Sequence, residues 1–122
     1  MLGPEHRLSS SDDFRTAVRK GVRVGRRLVV VHAVPATVEQ RQGLSTDPCR
    51  VGFIVNRAVG IAVVRNTVKR RLRHLMRDRL HRLPAGSRVV VRARPESGHS
   101  SSTALARDLD SAIDRLADRM AH

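Results

Sequence analysis

The sequence contains no tryptophan or tyrosine, and only two phenylalanines and one cysteine among its 122 residues. A helix that binds a membrane surface usually sets large apolar side chains opposite its basic face, so the shortage of aromatic residues disfavours membrane binding. The single cysteine, Cys49, cannot form an internal disulfide, and the six histidines show no spacing that pairs them with it as zinc ligands. We therefore expect no structural metal site.

Long hydrophobic runs are also absent. The longest apolar run, "LVVVHAV", is too short to span a bilayer, and no N-terminal stretch has the pattern of a signal peptide. We expect a cytoplasmic protein without a membrane partner or an obligatory protein partner. Since 40% of the residues are apolar, the chain can fold, and its length predicts one domain over residues 1–122.

Acidic residues are scarce relative to basic ones. The chain has 11 Asp and Glu against 24 Lys and Arg, which gives a net charge of +13 and a pI near 11.8. So strong a positive charge in a small domain is typical of a nucleic-acid-binding protein. We therefore expect a polyanionic partner.

The pattern of apolar residues predicts three strands and three helices. "SSSDDFRTAVRKG" has both start and stop signals of a helix, and "SSTALARDLDSAIDRLADRMA" is a helix with Ser101 or Ser102 as N-cap. Pro35 to Pro48 is expected to form a polar loop. The predicted strands are Leu28–Val34, Arg50–Asn56 and Ser87–Ala93, and the last two flank a basic helix that starts at Ala62. That order predicts a parallel pair of strands joined by a helical crossover.

The basic helix concentrates charge of one sign. Between Arg65 and Arg82 the sequence has eight Lys or Arg residues and a single acid, Asp78. Helical spacing places apolar residues on one stripe: Val64, Val68, Leu72, Leu75, Met76 and Leu83. On the other side it places one polar row: Asn66, Arg70, Arg73 and Arg77, with Lys69 at its border.

Two interpretations apply to this row. A solvated charged face normally mixes signs, whereas like charges four residues apart destabilise a helix by a few tenths of a kcal/mol each. Because the row has no acid to offset that cost, the sequence favours phosphate binding. Asn66 adds a donor and an acceptor without charge, which suits a sugar, a base edge or a metal-bound water.

From Gly52 to Arg73 the chain reads "GFIVNRAVGIAVVRNTVKRRLR", which resembles the signature of the protein subunit of bacterial ribonuclease P. The resemblance extends to "HRLSSSDDFRTAVRKG", to "GSRVVVRARP" and to the C-terminal helix. It implies an α+β fold of the ribosomal protein S5 domain 2-like type, an α-β-β-β-α-β-α sandwich. The sandwich has a mixed four-stranded sheet and a left-handed βαβ crossover, contrary to the usual right-handed rule. A fourth strand, within Val22 to Arg26, is implied as well.

The resemblance also implies site residues. The motif positions that face the ribozyme RNA and nearby metal ions are Arg65, Asn66, Lys69, Arg70 and Arg73. Phe14 matches an aromatic residue that forms, with the sheet, a cleft for the single-stranded 5′ leader of precursor tRNA. Asn56 and Arg57 match polar and basic positions directed toward that cleft. The catalytic Mg²⁺ is expected in the RNA subunit.

Several positions depart from the family pattern. Thr67 stands where relatives usually have Arg, and Ala58 replaces a common Lys. Val18 and Val31 stand where aromatic residues are frequent, so stacking on the leader is left mainly to Phe14. Phe14 has two interpretations: it stacks on RNA, contributing about 1 to 3 kcal/mol per base, or it only anchors its helix to the core.

The sequence thus predicts an accessory subunit of an RNA-based endonuclease that matures the 5′ end of tRNA. No carboxylate pair, His-based triad or metal-ligand cluster stands out, so the chemistry is expected in the RNA. The alternative is a structural RNA-binding protein such as a small ribosomal protein. A DNA-binding regulator fits less well because a strand, not a helix-turn-helix spacing, precedes Ala62. An independent protein nuclease lacks a convincing general base.

Overall fold

The computed structural model describes residues 3–8, 10–35 and 48–120, and these contain three helices and four strands. Their order confirms the predicted α-β-β-β-α-β-α arrangement, including the fourth strand implied by the resemblance. The elements are α1 Ser11–Lys20, β1 Val22–Gly25, β2 Val29–Val34, β3 Arg50–Ile54, α2 Ala62–Arg77, β4 Arg88–Ala93 and α3 Ser102–Met120. The loop expected from Pro35 to Pro48 lies, between those two prolines, outside the described residues.

The four strands form one mixed sheet in the order β1-β2-β4-β3. β2 pairs antiparallel with both β1 and β4, whereas β3 and β4 are parallel. A parallel pair needs a crossover connection, and α2 supplies it. The predicted parallel pairing across the basic helix is therefore confirmed, and the left-handed sense of the crossover stays a prediction.

The two faces of the sheet pack against different helices. Side chains alternate between the faces of a strand, so Val29 and Val31 lie in one core with Leu72 of α2 and Leu109 of α3. Val90 lies on the opposite face and packs against α1. We call these the α2/α3 face and the α1 face. The result is a three-layer sandwich in which α2 is fixed to the sheet by one side and exposes the other.

The helix ends follow local signals in the sequence. Ser10 caps α1, since its Oγ accepts a hydrogen bond from the amide of Asp13 at 3.4 Å, and Ser101 caps α3 by accepting from the amide of Ala104 at 3.1 Å. Gly60 has a positive φ of 153° just before α2, a conformation that favours glycine. It allows the chain to turn between β3 and α2.

The basic helix is shorter than its apolar pattern suggested. α2 ends at Arg77, and a short 3₁₀ turn over Leu80–Arg82 follows. The Arg79 guanidinium donates to the carbonyl of Leu75 at 2.8 Å and so satisfies one of the free carbonyls at the helix end. Leu83, which was placed on the helical stripe, is buried beyond the helix instead.

A short N-terminal segment lies along the outer edge of β3. The amide of Leu8 donates to the carbonyl of Val51 at 3.0 Å, and Arg7 forms an isolated parallel bridge with Val51. This contact brings Arg7 to the side of the sheet where α1 begins.

Candidate nucleic-acid interface

The outward side of α2 forms a shallow cationic cleft. Val68, Leu72 and Met76 are buried on its other side, so the helical repeat turns the intervening polar residues outward. The cleft has a volume of about 490 Å³ and is lined by Asn66, Lys69, Arg70, Arg73 and His74. We call this set the basic row.

No side chain of the basic row is ion-paired within the described part of the chain. Lys69, Arg70 and Arg73 therefore repel one another along one helix face without a carboxylate to offset the repulsion. A bound polyanion would remove that repulsion and gain charge-assisted hydrogen bonds from the guanidinium groups. The geometry agrees with the phosphate-binding interpretation, while RNA contact by each residue stays a prediction.

Arg65 and Arg77 lie at the two ends of the row, outside the cleft. The Nε atom of Arg65 is buried and has no hydrogen-bond partner among the described residues. Arg77 is exposed, and its Nε is 3.6 Å from a carboxylate oxygen of Asp78. The sequence analysis included Arg77 in a polar row that was expected to have no acid to pair with. That expectation was wrong at Arg77, although so exposed an ion pair is weak.

Thr67 does not supply the positive charge that relatives usually have at its position. Its hydroxyl donates to the carbonyl of Val63, one turn earlier in α2, at 3.0 Å. The side chain is thereby engaged with the backbone of its own helix. At this position the cationic surface of α2 therefore has one positive charge fewer than the family pattern.

A second, smaller cleft lies between α1 and α2 at the edge of the sheet. It has a volume of about 110 Å³ and is lined by Arg7, Leu8, Phe14, Val51, Gly52, Phe53, Lys69 and Arg73. Lys69 and Arg73 line both clefts, so the two surfaces are continuous. We call this second cleft the Phe14 cleft.

Phe14 packs tightly on the backbone of β3. A Cβ atom placed on Gly52 would lie only 2.2 Å from Cζ of the Phe14 ring, so the ring fits only because residue 52 is glycine. Phe14 also packs against the small core of Leu8, Ala17 and Val90 but remains only half-buried. The anchoring interpretation is therefore satisfied, and the exposed part of the ring leaves stacking on RNA as a prediction.

Asn56 and Arg57 are not in the Phe14 cleft. They follow the end of β3 at Ile54 and are not among the residues that line this cleft. Both are exposed, and the Asn56 Oδ1 accepts a hydrogen bond from the amide of Ala58 at 3.1 Å, which caps a 3₁₀ turn. Their contact with the leader stays a prediction, since they lie beyond the end of β3 and do not line the Phe14 cleft.

Apart from the β3 residues Val51, Gly52 and Phe53, sequence reasoning missed three residues that line these clefts. His74 lies four residues after Arg70, so the spacing of the row could have included it. Arg7 and Leu8 have no such signal, because they reach the Phe14 cleft only through their pairing with Val51.

The described residues contain no group of three or more His, Cys, Asp or Glu side chains that could hold a metal ion. No helix among them is long and apolar enough to cross a membrane. Cys49 is buried, which raises the pKa of its thiol although a hydrogen bond with Ser87 acts in the opposite direction. These features, with the cationic clefts, define a small α+β protein whose prominent surface suits a polyanion.

Comparison with known proteins identifies the family. The family model described as Ribonuclease P matches residues 2–117. The chain is 57% identical over 117 residues to the ribonuclease P protein component of Streptomyces avermitilis, with 95% of each chain covered. It is equally identical, over the same length and coverage, to that of Streptomyces bikiniensis. The chain belongs to the ribonuclease P protein family.

Solved structures agree with this assignment at the level of the fold. The ribonuclease P protein of Staphylococcus aureus superposes with a TM-score of 0.74 at 23% identity, covering 90% of this chain and 94% of that one. The protein of Thermotoga maritima gives a TM-score of 0.72 at 24% identity, with 89% and 96% covered. The function is therefore that of a protein subunit of ribonuclease P, the enzyme that processes the 5′ end of tRNA.

Proposed function

We propose that this subunit binds the ribonuclease P RNA through the basic row and the 5′ leader of precursor tRNA through the Phe14 cleft. The observation that carries the proposal is the position of Lys69 and Arg73, which line both clefts. One protein surface can thus contact the ribozyme and the substrate strand at the same time. Arg65, at one end of the row, and Asn56 with Arg57, beyond β3, extend this surface.

Charge neutralisation is the main contribution of the basic row. Each RNA phosphate that meets a Lys or Arg releases condensed counterions, so affinity falls steeply as the salt concentration rises. Neutralised phosphates also repel one another less, so the RNA needs less Mg²⁺ to reach its active fold. Asn66 contributes an uncharged donor and acceptor within the row.

The chemistry belongs to the RNA subunit in this proposal. The RNA would hold the Mg²⁺, which would supply metal-ion catalysis of phosphodiester hydrolysis, and the protein positions substrate and RNA relative to each other. The complex is expected to act in the cytoplasm, where precursor tRNA is made in bacteria.

Cleavage of precursor tRNA at low Mg²⁺ tests the proposal directly. The cognate ribonuclease P RNA is assayed with and without this protein, and we expect strong stimulation with the leader released at the correct site. A protein that binds RNA tightly but does not stimulate the cognate RNA would contradict the proposal. That result would favour a structural RNA-binding role.

Substitution of Phe14 tests the leader contact. Phe14→Leu keeps an apolar side chain on Gly52 but removes the aromatic ring, so we expect weaker binding of leader-bearing precursor by about 1 to 3 kcal/mol. Binding of mature tRNA should not change. Fluorescence titration with both RNAs measures the difference, and thermal unfolding checks that the variant is folded. Equal weakening for both RNAs would show that Phe14 is only structural.

A further inference from the structure

A third cleft lies at the end of the sheet where the parallel strands β3 and β4 begin. It has a volume of about 450 Å³, and its lining comes from the N-terminal segment, from the chain just before β3 and from the connection between α2 and β4. The lining includes His6, Cys49, Arg77, Leu80, His81 and Leu83. We call it the His81 cleft.

The floor of the His81 cleft is apolar and belongs to the α2/α3 face. Cys49 and Leu83 are buried in the core of that face, and Leu80 packs half-buried against it. The basic row, in contrast, is lined by polar side chains alone, and the Phe14 cleft has a volume of only about 110 Å³. The His81 cleft therefore combines an apolar floor with a volume within the range of about 300 to 1,000 Å³ that is typical of small-molecule sites.

Planar polar side chains form the rim of this cleft. His81 and Arg77 are exposed, and His6 is half-buried. Imidazole rings and guanidinium planes are groups on which an unpaired RNA base stacks. An apolar floor next to such groups offers a base two flat contacts, so the lining suits a nucleobase.

His6 is held in one orientation at the rim. Its Nδ1 donates to the carbonyl of Cys49 at 3.0 Å, and a carbonyl oxygen only accepts, so this nitrogen carries the proton. In the neutral ring Nε2 is then an acceptor, which suits the exocyclic amino group of a base. Nε2 lies 3.8 Å from a carboxylate oxygen of Glu5, beyond hydrogen-bond distance.

Arg77 supplies positive charge for a phosphate. Its Nε lies 3.6 Å from a carboxylate oxygen of Asp78, too far for a hydrogen bond, so this contact leaves the guanidinium donors available. The carbonyls at the end of α2 would repel a phosphate, but two of them are engaged. Arg79 donates to the carbonyl of Leu75 through its side chain at 2.8 Å and to that of Met76 through its amide at 2.9 Å.

We infer that the His81 cleft binds one unpaired nucleotide, with the base between the apolar floor and the His81 ring and the phosphate on Arg77. Arg73, which lines both other clefts, lies one turn before Arg77, and His6 directly precedes Arg7 of the Phe14 cleft. The His81 cleft thus continues the proposed RNA surface. The nucleotide belongs to an RNA strand or is a free mononucleotide, and only the RNA source rests on the proposed function.

Nuclear magnetic resonance with adenosine 5′-monophosphate tests the site residue by residue. The protein is titrated at constant pH and ionic strength while the ring signals of His6 and His81 and the Nε–H signal of Arg77 are followed. We expect all three to shift with one common dissociation constant. Ribose 5-phosphate has the phosphate without the base, so it should bind at least about ten-fold more weakly. Equal affinity for both ligands would overturn the inference.

Substitutions at the rim separate the base contact from the phosphate contact. His81→Ala should weaken binding of adenosine 5′-monophosphate at least about ten-fold but leave ribose 5-phosphate unaltered, whereas Arg77→Gln should weaken both ligands. His99→Ala and Arg107→Gln remove the same side-chain types from exposed positions outside the cleft and should change neither affinity. Thermal unfolding checks that each variant is folded. Unchanged affinities in both rim variants would overturn the site.

A competition experiment identifies the source of the nucleotide. A single-stranded oligoribonucleotide that shifts the same three signals and displaces adenosine 5′-monophosphate supports RNA as the ligand. Shifts with the mononucleotide alone support a site for a free nucleotide. Shifts with neither ligand would exclude the site without affecting the cleavage assay at low Mg²⁺, so the two proposals can fail separately.

Discussion

Two groups of arginines from the same stretch of chain have different surroundings. Arg70 and Arg73, in the middle of α2, have no carboxylate within ion-pair distance among the described residues. Arg79 and Arg82, just after the helix, contact Oδ1 of Asp110 at 2.8 and 2.6 Å. The residue type is the same in both groups, so the presence or absence of a carboxylate partner distinguishes an arginine that is available to an external anion from one that is engaged within the fold.

Arg79 and Arg82, which we call the paired group, connect the end of the basic helix to α3. Arg82 also contacts Asp114, one turn after Asp110, and Arg79 additionally bonds the backbone of α2. Since α3 packs on the sheet, this network holds the C-terminal end of α2 in place. The acids of α3 thus neutralise arginines near the helix end while leaving the middle of α2 cationic.

The largest expected effect is on RNA affinity and concerns Arg70 and Arg73, which we call the unpaired group. Arg70→Ala with Arg73→Ala should lower affinity for ribonuclease P RNA roughly ten- to hundred-fold at low salt and reduce the salt slope by about two. Holoenzyme assembly should therefore suffer more than folding, because Ala is a good helix former and the free energy of unfolding should change by about 0.5 kcal/mol or less. Filter binding across a salt series measures the affinity.

A matched control for this variant is Arg107→Ala with Arg115→Ala, which removes the same charge from α3. It should reduce RNA affinity much less. Unchanged RNA affinity of the Arg70 and Arg73 variant over the whole salt series would contradict the role of the basic row.

The opposite pattern is expected for the paired group. Arg82→Ala removes its contacts with Asp110 and Asp114, and the free energy of unfolding should fall by about 1 kcal/mol, since these carboxylates are partly exposed and screened. RNA affinity should stay within about two-fold. Urea unfolding and filter binding on the same preparation give both numbers. A large loss of affinity with full stability would show that Arg82 contacts RNA.

Low pH should weaken the ion pairs of the paired group with Asp110, and the loss of stability should be smaller than that caused by Arg82→Ala. Hydrogen bonds from Arg79 and Arg82 hold the pKa of Asp110 below its ordinary value, while burial acts in the opposite direction. A carboxyl with a lowered folded pKa stabilises the fold above its unfolded pKa, near 4, and loses that contribution as the pH falls through the folded pKa. Asp110→Asn should therefore be less stable by under about 1 kcal/mol at neutral pH.

The difference between this variant and the unchanged chain should shrink below about pH 4. Thermal unfolding of both proteins over a pH series measures it. A difference that stays constant down to strongly acid pH would show that ionised Asp110 does not contribute to stability.

Most of the fold could be predicted from the sequence because its signals are local. The Val-rich runs of β2 and β4, the Ser10 cap and the apolar stripe of α2 each depend on residues close in the chain. Two features of the fold with weaker sequence signals, β1 and the end of α2, were not predicted from the residues themselves. β1 has only four residues and was found only through the resemblance. The end of α2 depends on the hydrogen bond from Arg79 to the carbonyl of Leu75, which the spacing of apolar residues does not indicate.

The candidate site was less predictable because it depends on contacts distant in sequence. The basic row follows from helical spacing alone, so it could be identified in advance. The Phe14 cleft needs Arg7 beside β3 and Phe14 on Gly52, contacts that no spacing indicates. The absence of Asn56 and Arg57 from the lining of this cleft likewise depends on where β3 ends.

The N-terminal pairing along β3 has a consequence for self-association. β3 is an outer strand of the sheet, and free amide and carbonyl groups on such a strand can template pairing with another molecule. The Leu8 amide and the Arg7 bridge occupy part of that edge at Val51, and the positive side chain of Arg7 repels an approaching copy. Proteolytic trimming before Ser10 would uncover this strand, so a trimmed protein should aggregate more readily than the untrimmed one.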